Sequence, residues 1–145
     1  MVQCKVAVSA EKVYNFSLFG PVLKLHLSNI SGINAFTGYG EGYVMVNRQR
    51  YERSLVVLPD RLVTDWQPAG FDQLEAADFA RLAELAPEIV LLGTGARLRF
   101  PRPELARALM QARIGLEVMD VQAACRTYNI LAAEERKVAA ALLFS

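Results

Sequence analysis

The chain has few of the residues that catalytic and metal sites usually need. Among 145 residues there are two cysteines, one histidine and one tryptophan. Cys4 and Cys125 are too few and too far apart for a disulfide framework, a redox pair or a zinc cluster. So little cysteine favours a reducing compartment. We therefore predict a cytoplasmic protein, or a mitochondrial matrix protein if the source is eukaryotic.

Long apolar runs and an excess of charge of one sign are also missing. No run approaches the roughly 20 apolar residues that cross a bilayer, and the amino terminus lacks the order of a secretory signal. Sixteen basic and 15 acidic residues give a net charge of +1, which provides no overall field for nucleic acid or an anionic membrane. We predict a soluble protein without a transmembrane segment or a nucleic-acid partner. Any contact with a polyanion would need a local patch.

The chain is nevertheless rich in apolar side chains, at 53%, which is enough for the core of one domain. Its most informative stretch is residues 89–95, an apolar run that stops at Gly93, Thr94 and Gly95. A run without polar alternation predicts a strand that is buried on both faces. The loop after such a strand is a place where backbone amides can meet a ligand.

Residues 22–27 alternate apolar side chains with Lys24 and His26, which predicts a half-buried strand. An exposed strand position explains His26 better than a catalytic role does. The preceding residues show little periodicity. We therefore predict an arm or an extra strand over residues 1–21 and a single domain over residues 22–145.

Further strands are predicted before the first long helix. The density of glycines over residues 33–42 is typical of bends or bulges in a β region. Residues 43–46 and 51–58 are strand candidates on either side of a hairpin turn, and residues 62–66 form a short further strand.

Helices alternate with strands in the second half. Asp72 and Glu75 form a capping-box pattern for a helix to about Ala86. Residues 97–100 are predicted to be extended, and a second helix follows Pro103 and ends at Gly115 in a left-handed cap.

The carboxyl-terminal part continues this alternation. Residues 116–119 are predicted to be a buried strand, and Asp120 is predicted to cap a helix with its apolar stripe at Val121, Ala124, Cys125 and Tyr128. Residues 132–143 contain good helix formers, but residues 138–144 are also a continuous apolar run, which we interpret as a final strand. The pattern as a whole predicts a mixed α/β domain.

The 93–95 loop resembles the start of a dinucleotide fingerprint, but Leu98 stands where the third glycine belongs and no helix follows directly. A structural turn is the favoured interpretation. The alternative is an anion site, because Arg97, Arg99 and Arg102 follow closely and can bind a phosphate or carboxylate.

No other motif predicts catalysis. Cys125 on an apolar stripe is typical of a buried, inert thiol, and the carboxylates Asp120, Glu134 and Glu135 are explained by a helix cap and an exposed turn. The sequence has no metal-ligand cluster, nucleophile elbow or P-loop. We predict no catalytic residue, no metal and no cofactor, and the pattern indicates no particular oligomeric state.

Four segments, residues 33–40, 54–59, 87–95 and 123–143, together resemble a widespread domain family of unknown function. This family includes the mitochondrial assembly factor three of NADH:ubiquinone oxidoreductase (complex I) and the adipogenesis-associated domain-containing protein. The resemblance covers about residues 22–143.

The resemblance implies a single three-layer α/β domain with a mixed central sheet flanked by helices, plus an additional β region from the amino-terminal half. It also implies that residues 138–143 are a strand. Family members usually have glycine where this chain has Glu135, which puts a tight positive-φ turn there in doubt, although Arg136 is retained.

Two functional hypotheses follow. The resemblance and the missing catalytic set favour a non-enzymatic interaction or assembly module with an unidentified protein partner. The alternative is a small-anion-binding protein or enzyme. Its candidate ligand-binding residues are Gly93, Thr94, Gly95, Arg97, Arg126, Asn129 and Arg136.

Overall fold

The computed structural model describes residues 6–8, 10–12 and 32–144, and the chain divides into two units, Met1–Ser31 and Gly32–Ser145. In the first unit the described residues form an antiparallel ribbon of β1 (Val6–Val8) and β2 (Ala10–Lys12).

Two sequence predictions lie outside the described residues. These are the strand at residues 22–27 with His26, and Cys4. The predicted boundary between residues 1–21 and 22–145 stays a prediction.

The second unit begins with a three-stranded antiparallel sheet of β3 (Phe36–Gly40), β4 (Tyr43–Val46) and β5 (Gln49–Tyr51). The predicted bulge is present, because the pairing shifts between Phe36 and Gly38. Asn47 and Arg48 join β4 to β5 with φ angles of 52° and 71°, the left-handed pair of a type I′ turn. The predicted hairpin is confirmed, with a two-residue turn.

A mixed five-stranded sheet follows, in the order β7-β6-β10-β8-β9. Strands β8, β9 and β10 are parallel, and β6 and β7 continue the sheet antiparallel. The middle strand, β10, is buried along its whole length, so the apolar carboxyl-terminal run is a strand, as the resemblance implied. The strands are β6 (Leu55–Leu58), β7 (Arg61–Val63), β8 (Ile89–Thr94), β9 (Gly115–Met119) and β10 (Val138–Leu143).

Three helices cover this sheet: α1 (Ala76–Glu84), α2 (Arg107–Gln111) and α3 (Val121–Ala133). Successive side chains of β10 point to opposite faces, so the strand contributes to two separate cores. One core contains Ala140 with α3 and the three-stranded sheet, and the other contains Ala141 with α1 and α2. The predicted mixed α/β domain in three layers, with an additional β region, is confirmed.

Several predicted strands have different limits. The run at residues 51–58 is divided between two sheets, because the polar residues 52–54 carry the chain from β5 to β6. The strand predicted at residues 62–66 is β7, which ends at Val63. Residues 97–100 form no strand. Strand β9 lies at the sheet edge and is only half-buried, whereas a buried strand was predicted at residues 116–119.

The predicted start of the first helix is wrong. Asp72 lies in a separate 3₁₀ turn, Phe71–Gln73, and the capping box consists of Glu75 and Asp78. The backbone N–H of Glu75 donates to Asp78 Oδ2 at 2.8 Å, which satisfies a donor before the first helical turn.

The predicted left-handed cap at Gly115 is also wrong. Arg113 takes this role with a φ of 60°, and the N–H of Ile114 donates to the carbonyl of Leu109 at 2.9 Å to close the helix end. Gly115 instead begins β9, where it pairs with Ile89.

The turn after α3 is retained despite the loss of glycine. Glu135 has a φ of 64°, and the N–H of Arg136 donates to the carbonyl of Leu131 at 3.0 Å. The doubt that the missing glycine raised was misplaced, because the helix-closing hydrogen bonds hold a non-glycine residue in the left-handed region.

Candidate functional site

Gly93 lies where β8 and α3 approach each other most closely. A Cβ built on Gly93 would stand 2.8 Å from Leu142 Cδ2, 3.2 Å from Val121 Cα and 3.3 Å from Ala124 Cβ. Because the Val121 contact is to the main chain, a side chain at this position would force the helix away from the sheet. Helix packing therefore explains the glycine.

The next two residues close the loop by hydrogen bonds. Thr94 is 1% exposed, and its Oγ1 donates to the carbonyl of Arg97 at 2.7 Å and accepts the N–H of Arg99 at 3.1 Å. Gly95 has a φ of +95°, and its carbonyl accepts the N–H of Val121 at 3.0 Å. This geometry is that of a structural turn bonded to itself and to the start of α3.

Asn129 attaches α3 to the three-stranded sheet. Its Oδ1 accepts the N–H of Phe36 at 2.9 Å, and its Nδ2 donates to the carbonyl of Phe36 at 2.8 Å. The neighbouring Tyr128 hydroxyl donates to the carbonyl of Asn34 at 2.9 Å. One turn earlier, the exposed Arg126 donates from Nη1 to the Tyr39 hydroxyl at 3.2 Å. These polar groups connect two layers of the fold.

Arg97 and Arg136 lie apart from that contact. The side chain of Arg97 is exposed and has no hydrogen bond or ion pair with the described residues. The Nε of Arg136 lies 2.9 Å from Glu88 Oε1, next to the amino end of β8. A strand of six residues is about 20 Å long, so Arg136 lies at the opposite end of β8 from the 93–95 loop. The described contacts therefore give no support to an anion pocket shared by these residues, which stays a prediction.

Cys125 is fully buried in the core between α3 and the sheet. Burial raises the pKa of its thiol to about 12, although the neighbouring Arg126 acts in the opposite direction. A thiol that stays protonated at neutral pH is a poor nucleophile, so the predicted inert role agrees with the structure. Asp120 caps the helix as predicted, accepting the N–H of Ala123 on Oδ1 at 2.8 Å.

Sequence reasoning missed two adjoining clefts along the connection between β5 and β6. Their volumes are about 490 and 320 Å³, and Arg53 and Gln67 line both. Arg53 is exposed and unpaired among the described residues, whereas Glu52 accepts from Arg50 at 2.6 Å. The sequence signal that could have indicated these clefts is the polar residues 52–54, which interrupt the apolar run between β5 and β6. The clefts offer a guanidinium and an amide to solvent and no arranged acid–base pair.

Two classes of site are not found in the described part of the chain. Residues 32–144 and the amino-terminal ribbon hold no cluster of three or more histidine, cysteine or acidic side chains suited to a metal ion. Over the same residues, no helix is long and apolar enough to span a membrane.

Residues 36–143 match the model of a family described as a protein of unknown function (DUF498/DUF598). The chain belongs to this family. The match begins at β3, ends at the last residue of β10 and so contains both sheets of the second unit.

Named relatives of this DUF498 chain fall into two groups. NADH dehydrogenase (ubiquinone) 1 alpha subcomplex assembly factor 3 of Bos taurus is 34% identical over 107 residues, which are 72% of this chain and 58% of that protein. The 13 kDa major membrane protein of Francisella tularensis is 27% identical over 110 residues, 74% of this chain and 89% of that one. The chain thus spans less than two thirds of the assembly factor.

A solved structure has the same fold. The crystal structure of a Bordetella parapertussis protein is 40% identical, covers 80% of this chain and 99% of its own, and superposes with a TM-score of 0.74. This chain therefore shares its arrangement of sheets and helices with that protein.

Proposed function

We propose that the chain is a non-enzymatic, assembly-type module that acts by binding another protein. The assembly factor of Bos taurus, with 34% identity over 72% of this chain, supports a role of this type. The relative named as a membrane protein is consistent with a module that works beside a membrane. The buried free thiol of Cys125 suits a reducing compartment, and we place the module in the cytoplasm.

The observation that carries this proposal is the closed turn at residues 93–95. The Thr94 hydroxyl is hydrogen-bonded to the main chain of Arg97 and Arg99, and the carbonyl of Gly95 accepts the N–H of Val121. A ligand loop would instead keep donors directed at an open space. The residues that identify the family thus hold the layers together, which leaves recognition to the exposed surface.

The anion-binding alternative has no comparable support. Asn129 uses both ends of its amide on Phe36, and Arg136 is paired with Glu88 at the far end of β8.

Affinity purification of the tagged chain from its native source, after mild crosslinking, tests the proposed function. We expect the same protein partner in every preparation, close to stoichiometric with the bait. A chain that elutes alone while converting a metabolite would contradict the proposal.

A thermal-shift experiment distinguishes the anion-binding alternative from the proposed function. We expect inorganic phosphate to shift the unfolding midpoint equally in the wild-type chain and in Arg126→Ala. A phosphate stabilisation that disappears in Arg126→Ala would favour the alternative.

A further inference from the structure

Positive charge is concentrated in one part of the chain, residues 97–113, which we call the basic segment. It contains five arginines and one glutamate, a net charge of +4 in 17 residues, whereas the complete chain carries only +1. The rest of the chain is therefore negative overall. A nearly neutral protein with this distribution presents a local cationic surface.

Exposed apolar side chains are concentrated in the same segment. Phe100 is 72% exposed, Met110 is 70% exposed and Leu98 is 49% exposed. Among the described residues, Ile130 on α3 is the other large apolar side chain of this kind. Single exposed apolar residues are common, so the feature that needs an explanation is the concentration of three within 13 residues of chain, interspersed with arginines.

The loop part of the segment directs its apolar side chains outward. Arg99 lies between Leu98 and Phe100, and its guanidinium packs over the Phe71 ring at 4.4 Å, with Nη1 3.7 Å from Asp72 Oδ1. The residue between the two apolar side chains is thus anchored to the body of the domain. Leu98 and Phe100 themselves face solvent.

The helical part has the same mixed character. Leu109 fixes α2 to the core, while Arg107 and Met110, three residues apart, lie on its exposed side, and Arg113 follows directly. The chain path from Phe100 to Met110 is about 25 Å at most, since most of it is 3₁₀ or α-helix. Both parts can therefore meet one extended surface.

We propose that the basic segment docks onto an anionic membrane surface. The guanidinium groups of Arg97, Arg107 and Arg113 bind lipid phosphates, while Phe100 and Met110 enter the boundary between headgroups and acyl chains. The side chains of these three arginines are exposed and have no hydrogen bond or ion pair with the described residues, so docking breaks no existing side-chain contact. Arg102 contributes less because its Nη1 lies 3.8 Å from Glu104 Oε2.

A bilayer fits this surface better than an acidic protein. Phe100 and Met110 are 72% and 70% exposed, and a protein partner would need a shaped pocket for each of them to bury that area. The bilayer interface accepts them without shape complementarity, and its phosphates supply the opposite charge. The inference deepens the proposed function by giving the surface on which the module sits. It rests on the proposed function only for the idea that the module works beside a membrane, since lipid binding itself needs no protein partner.

Flotation of the complete chain with lipid vesicles tests the proposal. We expect binding to phosphatidylcholine vesicles that contain about 30 mol% phosphatidylglycerol, no binding to phosphatidylcholine alone, and weakening as salt rises from about 0.1 M to about 0.5 M. Absence of binding to the anionic vesicles, or equal binding to both kinds, would overturn it.

Two triple variants with the same charge change separate the local surface from net charge. Arg97→Gln, Arg107→Gln and Arg113→Gln combined should weaken binding on the order of a hundredfold. The matched control, Arg48→Gln, Arg53→Gln and Lys137→Gln combined, removes three exposed cations that are likewise unpaired among the described residues. Arg48 and Arg113 both have positive φ, so they are also matched in backbone strain. Equal weakening by the two sets would show that only net charge matters and would overturn the proposal.

The apolar contribution is tested in the same way. Phe100→Ser and Met110→Ser should each weaken vesicle binding about tenfold, whereas the control Ile130→Ser should leave it unchanged. In Phe100→Trp, brominated acyl chains should quench the added fluorescence, and in Ile130→Trp they should not. The buried Trp66 supplies the same background in both.

Partner purification keeps the two proposals distinguishable. A chain that captures its protein partner but ignores anionic vesicles retains the proposed function and loses the membrane surface. If the capture of that partner then depends on Arg97, Arg107 and Arg113, the basic segment binds an acidic protein instead.

Discussion

Gly93 of β8 faces Val121 of α3 so closely that a Cβ on the glycine would lie 3.2 Å from the Val121 Cα. The same carbon would lie 2.8 Å from Leu142 Cδ2 on the neighbouring strand. The glycine thus sets the distance between the helix and the sheet, and this distance also determines how the 93–95 loop meets the start of α3.

Replacing this glycine should destabilise the domain. We expect Gly93→Ala to lower the free energy of unfolding by about 1–3 kcal/mol, because the added methyl group overpacks a contact with the backbone. Denaturant unfolding at constant m-value measures the change. Gly115→Ala is the matched control, since its Cβ would meet Ile89 Cγ1 at an ordinary 3.6 Å. Similar losses in both variants would contradict the packing explanation.

The two hydrogen bonds between Asn129 and Phe36 should hold β3 against α3. We expect Asn129→Ala to cost about 2 kcal/mol, because it leaves both main-chain groups of Phe36 without their partner. Hydrogen exchange at the Phe36 amide should accelerate. Asn129→Asp keeps the acceptor for that amide and loses the donor, so its cost should be intermediate. An unchanged exchange rate in Asn129→Ala would show that the link is dispensable.

The left-handed turn at Glu135 is strained for a residue with a side chain. With a φ of 64°, Glu135→Gly should raise the free energy of unfolding by about 0.5–1 kcal/mol. Ala86→Gly, at a φ of 57°, should change stability in the same direction. Thermal unfolding of the three proteins in one buffer measures both effects. A loss of stability in Glu135→Gly would show that the Glu135 side chain makes a contribution larger than the backbone strain.

Cys125 should make the domain less stable at alkaline pH. Its pKa is raised from 9.0 to about 12 by burial, so the folded protein keeps a proton that the unfolded chain loses. The stabilisation is complete below about pH 9 and is lost as pH rises toward 12, with a slope of up to about 1.4 kcal/mol per pH unit. Urea midpoints from pH 8 to 11 should therefore fall less steeply in Cys125→Ala than in wild type.

The same burial predicts slow alkylation. In a Cys4→Ser background, iodoacetamide should label Cys125 only after denaturation. Rapid labelling of the native protein would contradict both the inert thiol and the pH dependence.

Local sequence was sufficient to predict features that depend on a single strand, helix or turn. The apolar runs predicted β8 and the burial of β10, and the stripe at Val121, Ala124 and Tyr128 predicted the buried side of α3, because side-chain periodicity follows from backbone geometry alone. A hairpin turn over residues 47–50 was predicted for a similar reason, since its residues are neighbours in the chain, and the structure confines the turn to Asn47 and Arg48.

Element limits were less accurate where several residues compete for one role. Asp72 and Glu75 share the capping-box spacing with Glu75 and Asp78, and only the tertiary position of the 3₁₀ turn distinguished the two pairs. Arg113 took the left-handed position that Gly115 was expected to occupy, because the register of β9 required Gly115 opposite Ile89.

By itself, the sequence determined the fold class, the family resemblance and the strands and helices whose apolar side chains follow a regular spacing along the chain. Tertiary structure alone decided which contacts the candidate site residues make. Only the fold brought Phe36, 93 residues away in the chain, within 2.9 Å of the Asn129 amide. Likewise, only the fold placed Gly93 against Val121, which gives this glycine its packing requirement. The physical reason is the same for both residues: a glycine or an amide has no fixed role until the chain folds and places a particular neighbour against it.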